Sequence, residues 1–293
     1  MRTLTKLDGD SSRARRDLHD HIQGSGPLAR HTVDSTGRRQ AGSSSFHESA
    51  KKHVTGKAAY IDDLVLPADA LHVALGLSPI AHGTLTQLDL SRVKEAPGVV
   101  DVITFHEVPG HTDIGPVFPG DPIFVDQEIS YAGQCLFAVA ATSLQAARRA
   151  VKLAAVSIDE QPASLDPVAA TEREEFVRPT HVQTCGNWQQ ALDQAEQVIE
   201  GELFVGGQEH FYLEGQACVV HPTEDEGVIV HTSNQHPSET QKLVAEVLDI
   251  PFHAVTVEVR RMGGGFGGKE TQASPWACIA AIIARRTGKT VRL

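Results

Sequence analysis

The sequence has few cysteines, and none of them lie close together. The four cysteines are at least 33 residues apart and form no C-x-x-C pair; they are Cys135, Cys185, Cys218 and Cys278. Iron–sulfur clusters and structural zinc sites need closely spaced thiolates, so the sequence indicates neither kind of site in this chain. We expect reduced, partly buried thiols, because cysteine commonly behaves as a small apolar side chain.

Long apolar runs and an excess of basic charge are also missing. The most apolar run, at 276–284, is far shorter than the about 18 residues of a membrane span, and the first residues lack a secretory pattern. We therefore expect a cytoplasmic protein that does not enter a membrane. The net charge of −11 argues against a nucleic-acid partner, because binding to phosphates needs a basic surface.

The 293 residues divide by composition into four parts. Residues 1–45 are polar and rich in Arg, Gly and Ser, which predicts a flexible tail. Strand and helix patterns alternate over residues 46–165, which predicts a first domain. Residues 166–180 carry Pro and Glu without any period and predict a linker, and residues 181–293 predict a second domain. The alternation over residues 46–165 predicts a compact α/β domain, and the overall fold class that we predict for the chain is α+β.

Periodicity predicts the main elements of both domains. Alternating apolar residues predict a strand at 71–77, and Ser143 is a candidate N-cap for a helix. Further strands are predicted at 99–105, 135–140, 155–158, 198–205, 217–221, 227–232 and 255–259, and further helices at 188–195, from Pro237 to about Leu248, and through Arg286 to Gly288. Residues 291–293 resemble a strand that has just begun. Ending there would leave unpaired edge groups, so we expect a truncated sequence.

A glycine-rich loop separates the strand at 255–259 from the helix that follows it. Five of the six residues from Gly263 to Gly268 are glycine, so the backbone of the loop can approach a ligand closely and adopt positive φ. The loop leads into a helix N-terminus, whose amides favour anionic or electronegative groups. Glu270 places a carboxylate at the exit of the loop. This combination favours a cofactor site over a simple turn.

Two common nucleotide-binding motifs fit this loop only in part. Gly263, Gly265 and Gly268 satisfy G-x-G-x-x-G, but no carboxylate follows about 20 residues later to bind a ribose. Gly263, Gly268 and Lys269 also satisfy G-x-x-x-x-G-K. Glu270 then stands where a P-loop has the Ser or Thr that binds Mg²⁺, and its charge would repel phosphates. Both nucleotide-binding interpretations are therefore disfavoured.

Four segments together resemble the xanthine dehydrogenase and aldehyde oxidase family. They are HVTGKAAYIDD at 53–63, GGQEHFYLE at 206–214, NQHPS at 234–238 and RMGGGFGGKE at 261–270. The resemblance covers about residues 46–293. Within the family, the chain is most similar to the bacterial form, in which the molybdenum domains are a separate polypeptide. It implies that residues 46–165 form an α/β hammerhead-type domain and that residues 181–293 begin a molybdenum-cofactor-binding α+β domain, truncated at its C-terminus.

The resemblance also implies roles for individual residues. Gln208 would donate a hydrogen bond to an oxo ligand of the molybdenum, and Phe266 and Gly267 would present backbone amides beside the metal. Glu270 would bind the substrate and stabilise charge that develops on it. In the family the metal is bound by the dithiolene sulfurs of the pterin, so no side-chain metal ligands are expected. The general base of the family would lie beyond Leu293.

The function implied is that of a molybdenum hydroxylase subunit that oxidises xanthine or hypoxanthine toward urate, with water as the oxygen source. The 2Fe–2S and FAD groups would be bound by a partner subunit of a hetero-oligomer, and that partner would pass electrons to NAD. Two alternatives remain open. One is an aldehyde oxidase-like hydroxylase of the same family. The other is an inactive, truncated remnant that only folds or binds a partner, and we expect the 293-residue chain alone to be inactive.

Overall fold

The computed structural model describes residues 47–293, so the predicted tail at 1–45 lies outside the described residues. The chain separates into two compact units, Met1–Ala58 and Ala59–Leu293. In the first unit the structure describes the short helix α1, Ala50–Val54. All of the elements described below belong to the second unit.

The second unit is built on a seven-stranded sheet and a smaller three-stranded sheet. The larger sheet has the order β3-β5-β1-β10-β7-β8-β9 and the smaller one β4-β2-β6. The strands are β1 Leu71–Leu77, β2 Gly83–Asp89, β3 Val99–Ile103, β4 Glu128–Ile129, β5 Cys135–Ala141, β6 Ala155–Glu160, β7 Cys218–Pro222, β8 Val228–Thr232, β9 Val255–Glu258 and β10 Val291–Arg292. β1 pairs with β10, and β8 with β9, in parallel; the other pairs are antiparallel.

Six helices accompany the strands of this unit. They are α2 Ser91–Lys94, α3 Leu144–Val151, α4 Pro167–Glu172, α5 Trp188–Asp193, α6 Pro237–Leu248 and α7 Ser274–Thr287. Short 3₁₀ helices occupy Ile61–Asp63, Phe105–Glu107 and Phe252–Ala254. The mixture of parallel and antiparallel strands with packed helices confirms the predicted α+β class.

The main core lies between the larger sheet and helices α6 and α7. From Ala277 to Ala284 every residue of α7 is buried, as expected of a helix that is apolar on all sides. Gly288 ends the helix with φ +66°, the left-handed conformation typical of a C-terminal glycine cap. Because α7 begins just after the glycine loop, burial of α7 anchors one end of that loop.

Buried polar side chains connect the end of β8 to the starts of α6 and α7. Asn234 Nδ2 donates to Thr240 Oγ1 over 2.9 Å, and Thr240 Oγ1 lies 2.9 Å from Ser274 Oγ. Asn234 Oδ1 accepts a hydrogen bond from the backbone N–H of His236. All three side chains in this chain of contacts are buried, and their mutual hydrogen bonds offset the cost of removing them from water. The network therefore fixes the segment 233–236 beside α7.

The last strand corrects an expectation from the sequence. Val291 pairs with Leu71 of β1 on one side and with Val220 of β7 on the other. Residues 291–292 therefore lie inside the sheet, and the prediction that they would leave unpaired edge groups is wrong. The physical reason is that β1, far away in the sequence, supplies the second neighbour, and sequence periodicity does not reveal such pairing.

Most predicted elements are present, but the predicted strand at 198–205 is wrong. This segment has no regular secondary structure, and Phe204 is 92% exposed. The segment is rich in residues that favour strands, but a strand forms only when a neighbouring strand accepts and donates the hydrogen bonds of its backbone N–H and C=O groups. No strand among the described residues pairs with it.

The segment between the two predicted domains contains α4 and α5, neither of which buries a residue. Strands from before and after this segment form one sheet, since β1, β3 and β5 join β7 to β10. The boundaries of the predicted linker at 166–180 stay a prediction. Among the described helices, none is both long enough and apolar enough to cross a membrane.

Candidate cofactor site

The glycine loop connects β9 to α7 and contains three residues in the left-handed region. These are Gly264 with φ +95°, Phe266 with φ +51° and Gly267 with φ +89°. A bulky residue such as Phe266 adopts positive φ at a cost of about 1 kcal/mol or more, so surrounding contacts must hold the loop in this shape. Phe266 is 75% exposed. The middle of the loop therefore projects outward.

Both ends of the loop meet Glu214. At the first end, the backbone N–H of Gly263 donates to Glu214 Oε2 over 2.6 Å. At the last end, Lys269 Nζ lies 3.6 Å from the same carboxylate oxygen and donates to the backbone oxygen of Glu214 over 2.6 Å. The segment that contains Glu214 thus closes residues 263–269 into an arch.

Lys269 is completely buried at the base of this arch. Its ammonium group donates to Ser233 Oγ over 2.6 Å and lies 4.7 Å from the centre of the Tyr212 ring. Burial lowers the pKa of Lys269 below its ordinary value, and the nearby Glu214 carboxylate opposes that shift. A buried ammonium is tolerated only when it is paired and hydrogen-bonded, as it is here.

The Glu214 carboxylate satisfies several groups besides the ammonium. Oε2 accepts a hydrogen bond from Ser233 Oγ over 2.6 Å, and Oε1 accepts one from the backbone N–H of Ile61 over 3.3 Å. Ile61 begins the 3₁₀ helix Ile61–Asp63, which lies within the motif at 53–63. One carboxylate therefore joins segments that are distant in the sequence: the motifs at 53–63, 206–214 and 261–270, and the residue before the motif at 234–238.

Gln235 braces the arch from a second direction. Its side-chain oxygen accepts hydrogen bonds from the backbone N–H groups of Gly267 (3.0 Å) and Lys269 (3.1 Å). Its own backbone N–H donates to the backbone oxygen of Lys269 over 2.8 Å. Three bonds from one residue thus define the backbone path through 267–269.

Close packing explains why two positions of the loop are occupied by glycine. A Cβ atom on Gly265 would lie 2.5 Å from Gln235 Oε1, and one on Gly268 would lie 2.7 Å from Tyr212 Cε1. Both distances are shorter than any normal contact. On the outer side, a Cβ on Gly267 would meet only His210 Nε2 within 4 Å among the described residues, at 3.9 Å. The loop is crowded on its inner side and open on its outer side.

The predicted site residues differ in how the structure places them. Gln208 is exposed, and its side-chain amide donates to the backbone oxygens of Gly206 and Gly207, both over 3.3 Å, within its own segment. Glu270 is exposed at the exit of the loop, where its backbone N–H donates to Gln272 Oε1 over 3.1 Å. The segment of Gln208 reaches the loop through His210 and Tyr212, which pack against Gly268.

A cavity of about 290 Å³ lies beside the exit of the loop. Thr271, Gln272 and Trp276 contribute to its wall, together with Gln216. Gln216 is held in place because its side chain donates to the backbone oxygen of Gly268 over 2.8 Å and accepts from the Trp276 indole N–H. The wall of this cavity is therefore coupled to the backbone of the glycine loop.

The residues of the loop fit a large anionic cofactor on its outer side. Phe266 and Gly267 are exposed there and both have positive φ, and the N-terminus of α7 follows the loop, an arrangement suited to electronegative groups. Over residues 47–293 no three His, Cys, Asp or Glu side chains are grouped as a metal site.

Sequence reasoning did not assign roles to the residues that shape the arch. Glu214 and Lys269 stand inside two of the recognised motifs, and Gln235 stands inside a third, but none was given a part in shaping the loop. Ser233 lies just outside the third motif. The available signal was a charged residue within an otherwise Gly-rich or aromatic motif, since Lys and Glu are almost never fully buried unless they are paired.

Comparisons with known proteins agree with this architecture. A family model described as an aldehyde oxidase and xanthine dehydrogenase a/b hammerhead domain matches residues 55–162, and a molybdopterin cofactor-binding domain model matches residues 170–293. The fold is thus a hammerhead domain with part of a molybdopterin cofactor-binding domain. The chain belongs to the aldehyde oxidase and xanthine dehydrogenase family.

Individual relatives include both kinds of enzyme in the family name. The chain is 38% identical over 250 residues to aldehyde oxidase 2 of Macaca fascicularis, which is 85% of this chain and 18% of that protein. It is 35% identical over 247 residues to xanthine dehydrogenase of Dictyostelium discoideum, which is 84% of this chain and 18% of that protein. The chain therefore spans less than a fifth of the length of these relatives.

Solved structures show the same fold. Quinoline 2-oxidoreductase from Pseudomonas putida 86 matches with a TM-score of 0.72 at 25% identity, over 85% of this chain and 34% of that one. Aldehyde oxidoreductase from Desulfovibrio gigas matches with a TM-score of 0.72 at 24% identity, over 96% of this chain and 33% of that one. The second likeness supports the fold alone.

Proposed function

We propose that this chain supplies the cofactor-facing part of a molybdenum hydroxylase active site. The observation that carries the proposal is the arch at 263–269, whose ends close on Glu214 and whose exposed middle presents Phe266 and Gly267. The arch lies within the match to the molybdopterin cofactor-binding domain. When bound, the molybdenum cofactor supplies the oxidation of a substrate carbon with oxygen taken from water.

Each predicted site residue carries a group whose chemistry suits the role that the resemblance implies for it. The Gln208 side-chain amide is a neutral donor that can orient an electronegative ligand without adding charge. The backbone amides of Phe266 and Gly267 would add two further neutral donors, and Gln235 Oε1, which accepts from the Gly267 N–H over 3.0 Å, would set the orientation of the second one. Glu270 would accept a hydrogen bond from the substrate and orient it at the exit of the loop.

Xanthine or hypoxanthine is the substrate class that we propose. A carboxylate at position 270 suits a polar purine ring, which can donate ring N–H groups, better than a simple aldehyde, which has none to donate. Aldehyde oxidation is the second candidate, and it is favoured by the 38% identity to an aldehyde oxidase. Both candidates use the same loop, and they differ in the substrate pocket.

We also propose that the iron–sulfur and FAD groups belong to a partner subunit that passes electrons to NAD. The dispersed cysteines of this chain are compatible with that division of labour, because iron–sulfur clusters are held by closely spaced thiolates. The complete assembly would therefore be a hetero-oligomer, which we propose to be cytoplasmic. Isolation of the chain with its natural neighbours, followed by assay of bound iron and flavin, would test this arrangement.

The proposed function is tested by purifying the protein as the complex that its natural host assembles. We expect about one molybdenum per copy of the chain and faster turnover of xanthine than of an aromatic aldehyde. Preference for the aldehyde would replace the purine assignment with the second candidate. A complex with no molybdenum and no turnover of either substrate would support an inactive remnant instead.

A further inference from the structure

We propose that the buried Lys269–Glu214 pair is a positioning element that shapes the glycine loop before the cofactor binds, and that capture of the cofactor depends on it. This inference rests on the proposed function, since it concerns the same loop. Neither residue was assigned a role by the resemblance. The pair acts through backbone atoms, so Lys269 and Glu214 are positioning residues.

The contacts of the pair are directed at the loop and at the segments that border it. Glu214 Oε2 holds the backbone N–H of Gly263 at 2.6 Å, and Lys269 Nζ holds the backbone oxygen of Glu214 at 2.6 Å. The first and last residues of the arch are thereby tied to one residue. A loop rich in glycine has a large conformational entropy, and closing both of its ends on one point reduces the number of shapes it can adopt.

Because the pair is buried, its main effect is to select one shape of the glycine loop, and its contribution to the stability of the fold is secondary. The Lys269 side chain is 0% exposed and that of Glu214 is 13% exposed. Replacing buried ion pairs by apolar residues of similar volume is often neutral or stabilising, whereas removing one partner is strongly destabilising. A charged pair at this place is explained by the particular backbone groups that it orders, which apolar side chains could not bind.

Gln235 transmits the position of Lys269 to the outer side of the loop. The Lys269 backbone donates its N–H to Gln235 Oε1 (3.1 Å) and accepts the backbone N–H of Gln235 (2.8 Å). The same Oε1 atom holds the N–H of Gly267 at 3.0 Å. A shift of Lys269 therefore moves the acceptor that orients the Gly267 amide, the group proposed to face the cofactor.

The test compares variants in the natural complex, with three measurements on each. These are hydrogen exchange of the peptide that spans 263–270, molybdenum content, and the midpoint of thermal unfolding. Lys269→Met removes the charge at similar length, and Lys242→Met is the matched control, because Lys242 is an exposed lysine that pairs with Glu246 on α6. We expect exchange in the loop to rise about tenfold or more in Lys269→Met and its molybdenum content to fall severalfold. Lys242→Met should match the wild type in both.

A double variant separates positioning from the cost of burying a lone charge. Lys269→Met combined with Glu214→Gln leaves no uncompensated charge, so thermal stability should recover toward that of the wild type. If the pair positions the loop, exchange of 263–270 stays high and molybdenum content stays low in this double variant. If molybdenum content recovers together with thermal stability, the pair is only structural and the proposal is overturned.

Gln235→Leu covers the case in which the Lys269 variants do not fold. Gln235 is exposed, so its replacement leaves the core intact while removing the shared acceptor of Gly267 and Lys269. Faster exchange of the loop with loss of molybdenum supports the proposal, and values equal to those of Lys242→Met overturn it. A wild-type complex that lacks molybdenum would sink the proposed function alone, because loop exchange still reports whether the pair shapes the arch.

Discussion

The carboxylate oxygen Oε2 of Glu214 lies 2.6 Å from the backbone nitrogen of Gly263, although 49 positions separate the two residues in the chain. This contact joins the motif at 206–214 to the motif at 261–270. Each motif was recognisable in the sequence by itself, but the sequence did not reveal that Glu214 of the first motif binds the glycine loop of the second. The hydrogen bond makes the two segments parts of one site.

Replacement of Glu270 tests its proposed contact with the substrate. In the complete enzyme we expect Glu270→Ala to lower purine turnover by on the order of 10²-fold, because a group that stabilises developing charge is lost. Molybdenum content should stay near normal, since the side chain is exposed and its backbone N–H bonds to Gln272. Steady-state kinetics and metal analysis measure the two quantities.

Glu95→Ala is the matched control for that experiment, since Glu95 is an exposed carboxylate next to α2. It should leave both turnover and metal content unchanged. Loss of molybdenum in Glu270→Ala would make Glu270 a structural residue of the loop and remove its assignment as a substrate contact.

The four thiols should differ sharply in reactivity. Cys185 is exposed, whereas Cys135, Cys218 and Cys278 are buried. Burial raises the pKa of Cys218 to about 12 and raises the pKa values of Cys135 and Cys278 as well, which suppresses the reactive thiolate. A colorimetric thiol reagent should therefore label one cysteine quickly in the folded protein and the other three only after unfolding. Loss of the fast phase in Cys185→Ser identifies it, and its persistence would contradict the assignment.

Acidification should destabilise the fold through His221. Burial lowers the pKa of the His221 imidazole, and the neighbouring His231 lowers it further. The unfolded chain then takes up a proton near the ordinary pKa of 6.5 that the folded chain resists, so the free energy of unfolding falls as the pH drops through about that value. His221→Gln keeps a polar group near Thr290 and should reduce this dependence.

Thermal unfolding one pH unit above and one below that value measures the effect. The control is His253→Gln, a change at an exposed histidine, which should leave the dependence as it is in the wild type. If His221→Gln loses as much stability on acidification as the wild type does, His221 is not the group responsible.

Gly288 should be required for its backbone conformation and not for space. It has φ +66° at the end of α7, and an added Cβ would meet no atom within 4 Å. Gly288→Ala should lower the free energy of unfolding by about 1 kcal/mol, because an L-residue is strained in the left-handed region, and Gly288→Asn should cost less. Denaturant unfolding measures both changes. Gly201→Ala, which likewise has open space around it, should be close to neutral, and an equal loss there would contradict the argument.

Local patterns in the sequence correctly predicted those helices and strands that bury one apolar face. The apolar stripe of α6 and the paired strands β7 and β8 are present where periodicity placed them. The segment 198–205 has an equally β-rich composition and forms no strand, because backbone pairing depends on a partner and not on composition. The same reason explains why the central position of β10 was missed.

The sequence by itself determined the family, the α+β class, and a flexible glycine segment followed by the carboxylate of Glu270, since these follow from residue identity and order. Only the tertiary structure decided how that segment is shaped. Lys269 is buried against Glu214, and Gln235 binds two amides of the loop, because chain folding brings together segments from four places in the sequence. A glycine loop has no intrinsic shape, and its shape here comes from side chains that lie outside its glycines.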